Sequence, residues 1–151
     1  MGARVEVAEF LVRGVELTEA EVARVARALR SQGVRAEPLP GGGLRAPGLR
    51  VEGGRLAEWG PLAGVAVLVK VAGVLRSMGF RAVLLDGLLA ARGHGLAVLA
   101  EVEGRVLRVS VRRLGLGARP GFLDELAREA GRRGLELRRV NLEKMLPRRV
   151  L

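Results

Sequence analysis

The chain of 151 residues has the length of one domain or of two very small ones, and its hydrophobic fraction of 49% is enough to form a core. It contains no Cys and no Tyr, one His (His94) and two Asp (Asp86 and Asp124). The absence of Cys excludes disulfides, thiol catalysis and Cys-ligated zinc, and the scarcity of His and Asp argues against a multi-His or carboxylate-rich metal centre. We therefore expect neither a metal ion nor another cofactor.

The formal net charge is +10, and most of it lies near the end of the chain. Residues 104–151 carry 12 Arg and one Lys against five acidic residues, a balance of +8. A polyanion, above all a nucleic acid, is therefore expected to contact the last third of the chain. The alternative is a charged surface of the kind found in proteins from hot environments, since amides are scarce and Cys is absent.

The first 60 residues predict a small N-terminal α/β unit. Alternating residues at 4–12 favour a strand. Thr18 and Glu21 have the spacing of a capping box, which would open a helix that ends at Gly33. The other predicted elements are a short strand at 34–37, a loop over 38–43, and an edge strand at 44–52 that Pro47 interrupts before a turn at Gly53 and Gly54.

Residues 61–151 predict a second unit. Pro61 marks the first turn of an apolar, buried helix that ends at Gly79. After it we predict a strand at 80–85, a loop or irregular edge at 86–95, hairpin strands at 96–102 and 105–113, a helix from Pro120 to Gly134, and a strand at 135–142. This order, helix-strand-hairpin-helix-strand, indicates helices on a small mixed sheet, so the fold class is α/β (α+β). An apolar tail at 143–151 either docks on a partner or folds back on its own core.

Nothing in the sequence predicts a targeting signal or a membrane span. Charged residues interrupt the N-terminal apolar residues, and Lys70 interrupts the apolar stretch at 61–75, which is too short to cross a bilayer. We therefore expect a cytoplasmic protein with no membrane partner.

The candidate binding residues are arginines of the last third, which we expect to contact phosphates. Arg108 and Arg112 are expected to share one face of the strand at 105–113, because side chains two residues apart point to the same face. Base stacking is not expected, because the chain has only three Phe and one Trp. The predicted phosphate contacts are Arg108, Arg112, Arg113, Arg132 and Arg133.

Two other groups of residues offer alternative chemistry. His94 precedes a strand and has no evident acid–base partner, so a loop histidine without a chemical role is the favoured interpretation. Asp86, Glu101 and Glu103 follow the acid-then-Glu-x-Lys pattern of metal-dependent nucleases in part, but Glu103 stands where that pattern requires Lys. A degenerate metal-dependent nuclease or resolvase-like protein is therefore one alternative.

Residues 67–83 (VLVKVAGVLRSMGFRAV) resemble the helix that opens the catalytic domain of the archaeal tRNA-splicing endonucleases. Lys70, Leu75-Arg76 and Gly79-Phe80 stand at the positions that carry this likeness. The resemblance extends to the strand at 49–56, to the apolar strand that follows His94 and ends in an acid, and to the Arg-rich residues 128–142.

The resemblance implies a non-catalytic member of that family. The family's triad is Tyr, His and Lys, whereas this chain has no Tyr and carries Arg133 where the Lys would fall. A guanidinium is a poor proton donor, so His94 and Arg133 would be relics of the triad. By this resemblance the chain is a structural subunit of a heteromeric tRNA-splicing endonuclease, which binds a catalytic subunit and contacts precursor-tRNA phosphates. The tail residues expected at the subunit interface are Met145, Leu146, Val150 and Leu151. A free-standing, basic nucleic-acid-binding protein is the second alternative.

Overall fold

The computed structural model describes residues 5–115, 117 and 120–140. Three helices and ten strands make up this part of the chain, which confirms the α+β class. The helices are α1 (Glu19–Ser31), α2 (Ala63–Ser77) and α3 (Phe122–Arg132). The strands are β1 (Val5–Val15), β2 (Glu37–Leu39), β3 (Gly43–Ala46), β4 (Leu49–Glu52), β5 (Arg55–Trp59), β6 (Arg81–Leu85), β7 (Leu88–Gly93), β8 (Leu96–Glu103), β9 (Val106–Arg113) and β10 (Leu135–Val140).

The strands form two sheets. The larger has six strands in the order β10-β1-β9-β8-β7-β6, and the smaller has four in the order β2-β3-β4-β5. Every strand pair in the described residues is antiparallel. Helices α2 and α3 pack on one face of the six-stranded sheet, where alternate residues such as Phe10, Val98 and Leu107 are buried. None of the three helices of the described residues packs on the opposite face of this sheet.

The strand pairing crosses residue 60, where we predicted a boundary between two units. β1 belongs to the first 60 residues, yet it lies between β9 and β10 in the six-stranded sheet. The buried residues of both halves form one hydrophobic cluster. The Arg105 guanidinium also lies over the Trp59 ring, 4.4 Å from its centroid, and so joins the β8–β9 turn to the end of β5. The N-terminal segment therefore contributes β1 to the larger sheet, whereas its strands β2 to β5 form the smaller sheet.

The predicted helix signals are confirmed at the atomic level. Thr18 Oγ1 accepts a hydrogen bond from the Glu21 backbone N–H, and the Glu21 side chain accepts one from the Thr18 backbone N–H. Helix α2 is buried along most of its length, as its apolar sequence predicts. It begins at Ala63, with Leu62 as its N-cap residue, and not at Pro61 as predicted. Gly33 and Gly79, both with positive φ, follow the ends of α1 and α2.

Several strand predictions are wrong where turns follow one another closely. The short strand predicted at 34–37 is β2 at Glu37–Leu39, which lies mostly within the predicted loop over 38–43. The single strand predicted at 44–52 is the hairpin β3–β4, because Pro47 and Gly48 reverse the chain between them. The predicted loop at 86–95 contains β7, which pairs with both β6 and β8 and buries Leu89. Strand β5 was not predicted at all. Short strands between glycine turns carry too few residues for an alternation to stand out.

None of the helices in the described part of the chain combines the length and the apolarity that crossing a membrane requires.

Candidate nucleic-acid interface

The helix-free face of the six-stranded sheet, here called the open face, carries side chains in rows that run across the strands. Side chains alternate between the two faces of a sheet, so the strand register fixes which residues share a row. The first row, from β6 to β1, is Arg81, Arg92, Ala97, Arg112 and Val5. The second row is Val83, Ala90, Leu99, Ser110 and Val7. The two rows lie side by side, and all their residues except Val7 line one groove of about 580 Å³.

The three arginines of the first row, Arg81, Arg92 and Arg112, are the charged feature of the open face. Arg81 and Arg92 are directly opposite each other on adjacent strands, and Arg112 lies two strands from Arg92, about 10 Å away along the sheet. Like charges at directly opposed positions destabilise a sheet. None of the three has an ion-pair partner within the described residues. The row is therefore an uncompensated cationic strip.

The second row is apolar and accessible. Five large hydrophobic side chains on the open face are between 47% and 58% exposed. Val7, Val83 and Leu99 belong to the second row, Val5 ends the first row, and Leu85 follows Val83 on the same face of β6. An isolated exposed apolar residue is ordinary, but a contiguous group bordered by charge is typical of an interaction surface. The open face therefore combines an apolar patch with a cationic strip.

Arg108 lies on the same face but is neutralised. Its Nε donates to Oε2 of Glu9 at 2.9 Å, and its Nη1 donates to Oε1 of Glu101 at 3.0 Å. Its Nη2 lies 2.8 Å from the same Glu9 oxygen and completes the ion pair. The hydrogen bond with Glu9 and then that with Glu101 raise the pKa of Arg108 above its ordinary value. Glu9 is buried, with 5% of its side chain exposed, so Arg108 serves as its counter-ion. Its charge is therefore balanced by two carboxylates within the fold, so Arg108 adds no unpaired cation to the open face.

The other predicted phosphate contacts are dispersed. Arg113 follows Arg112 directly and therefore points to the opposite face of the sheet. Arg132 and Arg133 lie at the end of α3, and both reach Glu129, at 3.7 and 3.6 Å. Of the five predicted arginines, the structure thus places only Arg112 in the cationic strip. The predicted interface residues Met145, Leu146, Val150 and Leu151 lie outside the described residues.

Arg81 and Arg92 are the site residues that sequence reasoning missed. They precede the charge-rich last third, and the segment of Arg92 was predicted as a loop. The signal that could have found them is the dipeptide Asp86-Gly87, a good two-residue hairpin turn. A hairpin with this turn sets Leu85 opposite Leu88 and, four residues further from the turn, Arg81 opposite Arg92.

His94 has a structural position. Its Nε2 lies 2.7 Å from the backbone oxygen of Met78, and because a carbonyl can only accept, Nε2 is the donor. The imidazole packs edge-on against Phe80, with ring centroids 5.2 Å apart. Gly79 leaves room for the ring, since a Cβ there would lie 2.9 Å from Nε2. His94 therefore fastens the β7–β8 turn to the end of α2.

The acids of the alternative metal-dependent reading are separated. Asp86 follows β6 at the hairpin turn, whereas Glu101 on β8 accepts from Arg108. In residues 5–115, 117 and 120–140 no three His, Asp or Glu side chains are grouped so that they could hold a metal ion.

Comparisons of the chain with protein-family models, with curated proteins and with solved structures found no match. The open face is therefore the feature of the molecule that points to a function.

Proposed function

We propose that this protein is a non-catalytic, RNA-binding subunit of an RNA-processing assembly. Its setting, as the resemblance of residues 67–83 and 94–103 implies, is a heteromeric tRNA-splicing endonuclease, in which it positions the catalytic subunit and contacts precursor-tRNA phosphates. The observation that carries the proposal is the cationic strip of Arg81, Arg92 and Arg112.

The strip suits a phosphate backbone for electrostatic reasons. Three guanidiniums without carboxylate partners in the described part of the chain repel one another, and bound phosphates would remove that repulsion. Adjacent strands are about 4.8 Å apart, so the strip extends about 14 Å from β6 to β9, which is enough for more than one phosphate. Phe10, Phe80 and Phe122 are buried and Arg105 covers the Trp59 ring, so none of these aromatic rings is available to stack on a base. Binding would follow the shape and charge of the RNA and not its sequence.

The apolar row beside the strip supports the subunit role. Val7, Val83 and Leu99 are about half exposed on a sheet face that no helix covers within residues 5–115 and 120–140. A protein partner would bury these side chains, and each would contribute roughly 1 kcal/mol or more to association. The partner implied by the resemblance is the catalytic subunit that carries the Tyr, His and Lys of the family.

A direct binding measurement tests the RNA contact. The double variant R92E/R112E reverses two charges of the strip, and R35E/R128E reverses two exposed arginines elsewhere that have no ion-pair partner in the described part of the chain. We expect a fluorescein-labelled intron-containing RNA hairpin to bind the wild type and R35E/R128E with similar affinity. We expect R92E/R112E to bind at least tenfold more weakly. Equal loss in both double variants would show non-specific attraction and contradict the proposal.

A mass measurement tests the subunit role. The purified chain is mixed with a catalytic Tyr/His/Lys subunit, and native mass spectrometry reports what forms. We expect a stable hetero-oligomer, and we expect V83E/L99E, which places charges in the apolar row, to abolish it while the variant still folds. A lone monomer or homodimer that binds RNA would instead favour the free-standing nucleic-acid-binding protein.

A further inference from the structure

Strand β6 forms one outer edge of the six-stranded sheet. A strand at an edge presents unpaired backbone N–H and C=O groups, and proteins usually cover such edges with charge, proline, a bulge or another element. β6 (RAVLL) has no proline, its one charged residue is Arg81 at its first position, and Val83 and Leu85 are both at least half exposed. Among the described residues no strand pairs with this edge, so from Ala82 to Leu85 it can accept another strand.

The position of Arg76 shows which backbone groups face outward. Its Nη2 donates to the carbonyl of Ala82 at 2.9 Å, so this carbonyl points away from β7. In an antiparallel ladder, inward and outward groups alternate by residue, so the N–H and C=O of Leu84 also point outward. The N–H of Ala82 and both groups of Leu84 are thus available to an added strand.

A charged groove lies on the helix side of this edge. It has a volume of about 830 Å³ and lies between α1, the C-terminal half of α2 and β6. Arg24, Arg27 and Arg76 line it, against one carboxylate, Asp86. Arg24 and Arg27 are one helical turn apart and have no ion-pair partner within the described residues. The floor, which includes Val69 and Ala72, is apolar.

The two sides of the β6 edge therefore have different chemistry. The helix side is cationic, with Arg24, Arg27 and Arg76, whereas the open-face side presents Val83 and Leu85. A strand added to β6 would place alternate side chains on these two sides. The matching occupant has acidic residues at every second position and β-branched or other apolar residues between them.

We propose that the edge of β6 binds an extended acidic segment of another protein by strand addition, with acidic side chains in the groove and apolar ones over Val83 and Leu85. Charge complementarity selects this occupant. A second copy of the chain, with its net charge of +10, would bring cations to a cationic groove. A nucleic acid could meet the guanidiniums but offers no backbone ladder to Leu84. The proposal does not depend on the RNA-binding role, because it uses different arginines, but it shares Val83 with the apolar row to which the catalytic subunit is proposed to bind.

The test uses synthetic peptides and the full-length protein. The probe is a fluorescein-labelled eight-residue peptide in which Glu and Val alternate, and the control has the same composition as four Glu followed by four Val. We expect the alternating peptide to bind at least tenfold more tightly in fluorescence anisotropy. In an extended conformation all of its Glu side chains point to the groove, whereas those of the block peptide point to both sides of the strand. In two further peptides every second backbone nitrogen is methylated, in one or the other register. We expect one of them to lose binding and the other to retain it, because only one edge of the peptide faces β6.

Protein variants assign the site. R24E/R27E should weaken binding of the alternating peptide at least tenfold, whereas R35E/R128E, with the same change of net charge, should leave it nearly unchanged. D86N, which removes the one carboxylate of the groove, should strengthen binding about twofold to threefold. R24E/R27E should still bind RNA like the wild type, so failure here is distinguishable from failure of the proposed function.

Several outcomes would overturn the proposal. Equal affinity for the alternating and the block peptide, or for both methylated peptides, would show charge attraction without strand pairing. Displacement of the peptide by RNA, together with weakened RNA binding of R24E/R27E, would make the groove a nucleic-acid contact. Dimerisation of the wild type that V83E abolishes would make the edge an interface between copies of this chain.

Discussion

Glu21 and Lys70 form a buried ion pair that joins α1 to α2. Lys70 Nζ donates to Glu21 Oε1 at 2.7 Å, and only 4% of the lysine side chain and 12% of the glutamate side chain are exposed. The same Glu21 oxygen accepts the Thr18 backbone N–H at 2.8 Å, so one carboxylate both caps α1 and neutralises the lysine within α2. The buried charge of Lys70, within the apolar helix α2, is thus compensated by Glu21 in the first turn of α1.

Removing the charge of Glu21 should destabilise the protein strongly. E21Q keeps a side chain that can complete the capping box but leaves Lys70 buried without a counter-ion, and we expect a loss of about 3 kcal/mol in the free energy of unfolding. T18A, which removes only a cap, should cost about 1 kcal/mol. Urea unfolding checks both values. In the double variant E21Q/K70M the loss should be smaller than the sum of the single losses, and additivity would show that the pair is not coupled.

Arg108 and Arg112 should behave oppositely although they share one strand face. R108A strips the buried Glu9 carboxylate of its counter-ion, and we expect it to lower the free energy of unfolding clearly more than R112A does. R112A removes an arginine without an ion-pair partner in the described residues and should change stability by less than about 0.5 kcal/mol. RNA affinity should show the reverse order, with R112A the weaker binder. If R108A reduced affinity more than R112A without loss of folding, Arg108 would belong to the interface.

The contact between Gly79 and His94 predicts the effect of a single methyl group. Gly79 has φ +94°, and a Cβ there would lie 2.9 Å from His94 Nε2, so G79A should cost about 2 kcal/mol. The matched control is G131A, because Gly131 lies within α3 with open space around the Cβ position. It should stabilise the protein by about 0.5–1 kcal/mol. Thermal unfolding separates the two, and equal shifts would contradict the contact.

His94 itself should matter for folding and not for chemistry. H94A removes the hydrogen bond to Met78 and the ring contact with Phe80, and we expect a loss of about 1–2 kcal/mol. In the proposed assembly, at a temperature where the variant is folded, the single-turnover rate of RNA cleavage should equal that of the wild type. A slower rate at full assembly would assign His94 a catalytic part.

The parts of the fold that follow local rules were predictable from the sequence. The capping box at Thr18 and Glu21, the buried character of α2, the β8–β9 hairpin and the glycine after each of α1 and α2 all depend on residues close to one another in the chain. The insertion of β1 between β9 and β10 was not predicted, because nothing within residues 5–15 specifies a partner about 100 residues away.

The candidate site was predictable only in part, for a related reason. The net charge predicted an interface in the last third of the chain. A count of charges does not consider ion pairs, however, and Glu9 of β1 neutralises Arg108 on the adjacent strand. The cationic strip instead depends on the register of β6 with β7, which sets Arg81 opposite Arg92. The role of the cationic strip in RNA binding stays a prediction. So do the binding of a catalytic subunit and the division of the chain into two units near residue 60.

The salt dependence of RNA binding tests the central claim most directly. Each phosphate contact contributes about 0.7 to 0.9 to the slope of log K against log salt concentration, so R92Q/R112Q should reduce the magnitude of the slope by about 1.5. The control R35Q/R128Q should keep the wild-type slope, because neither arginine lies on the open face. A slope that R92Q/R112Q leaves at the wild-type value would remove the strip of Arg81, Arg92 and Arg112 from the RNA interface and contradict the account.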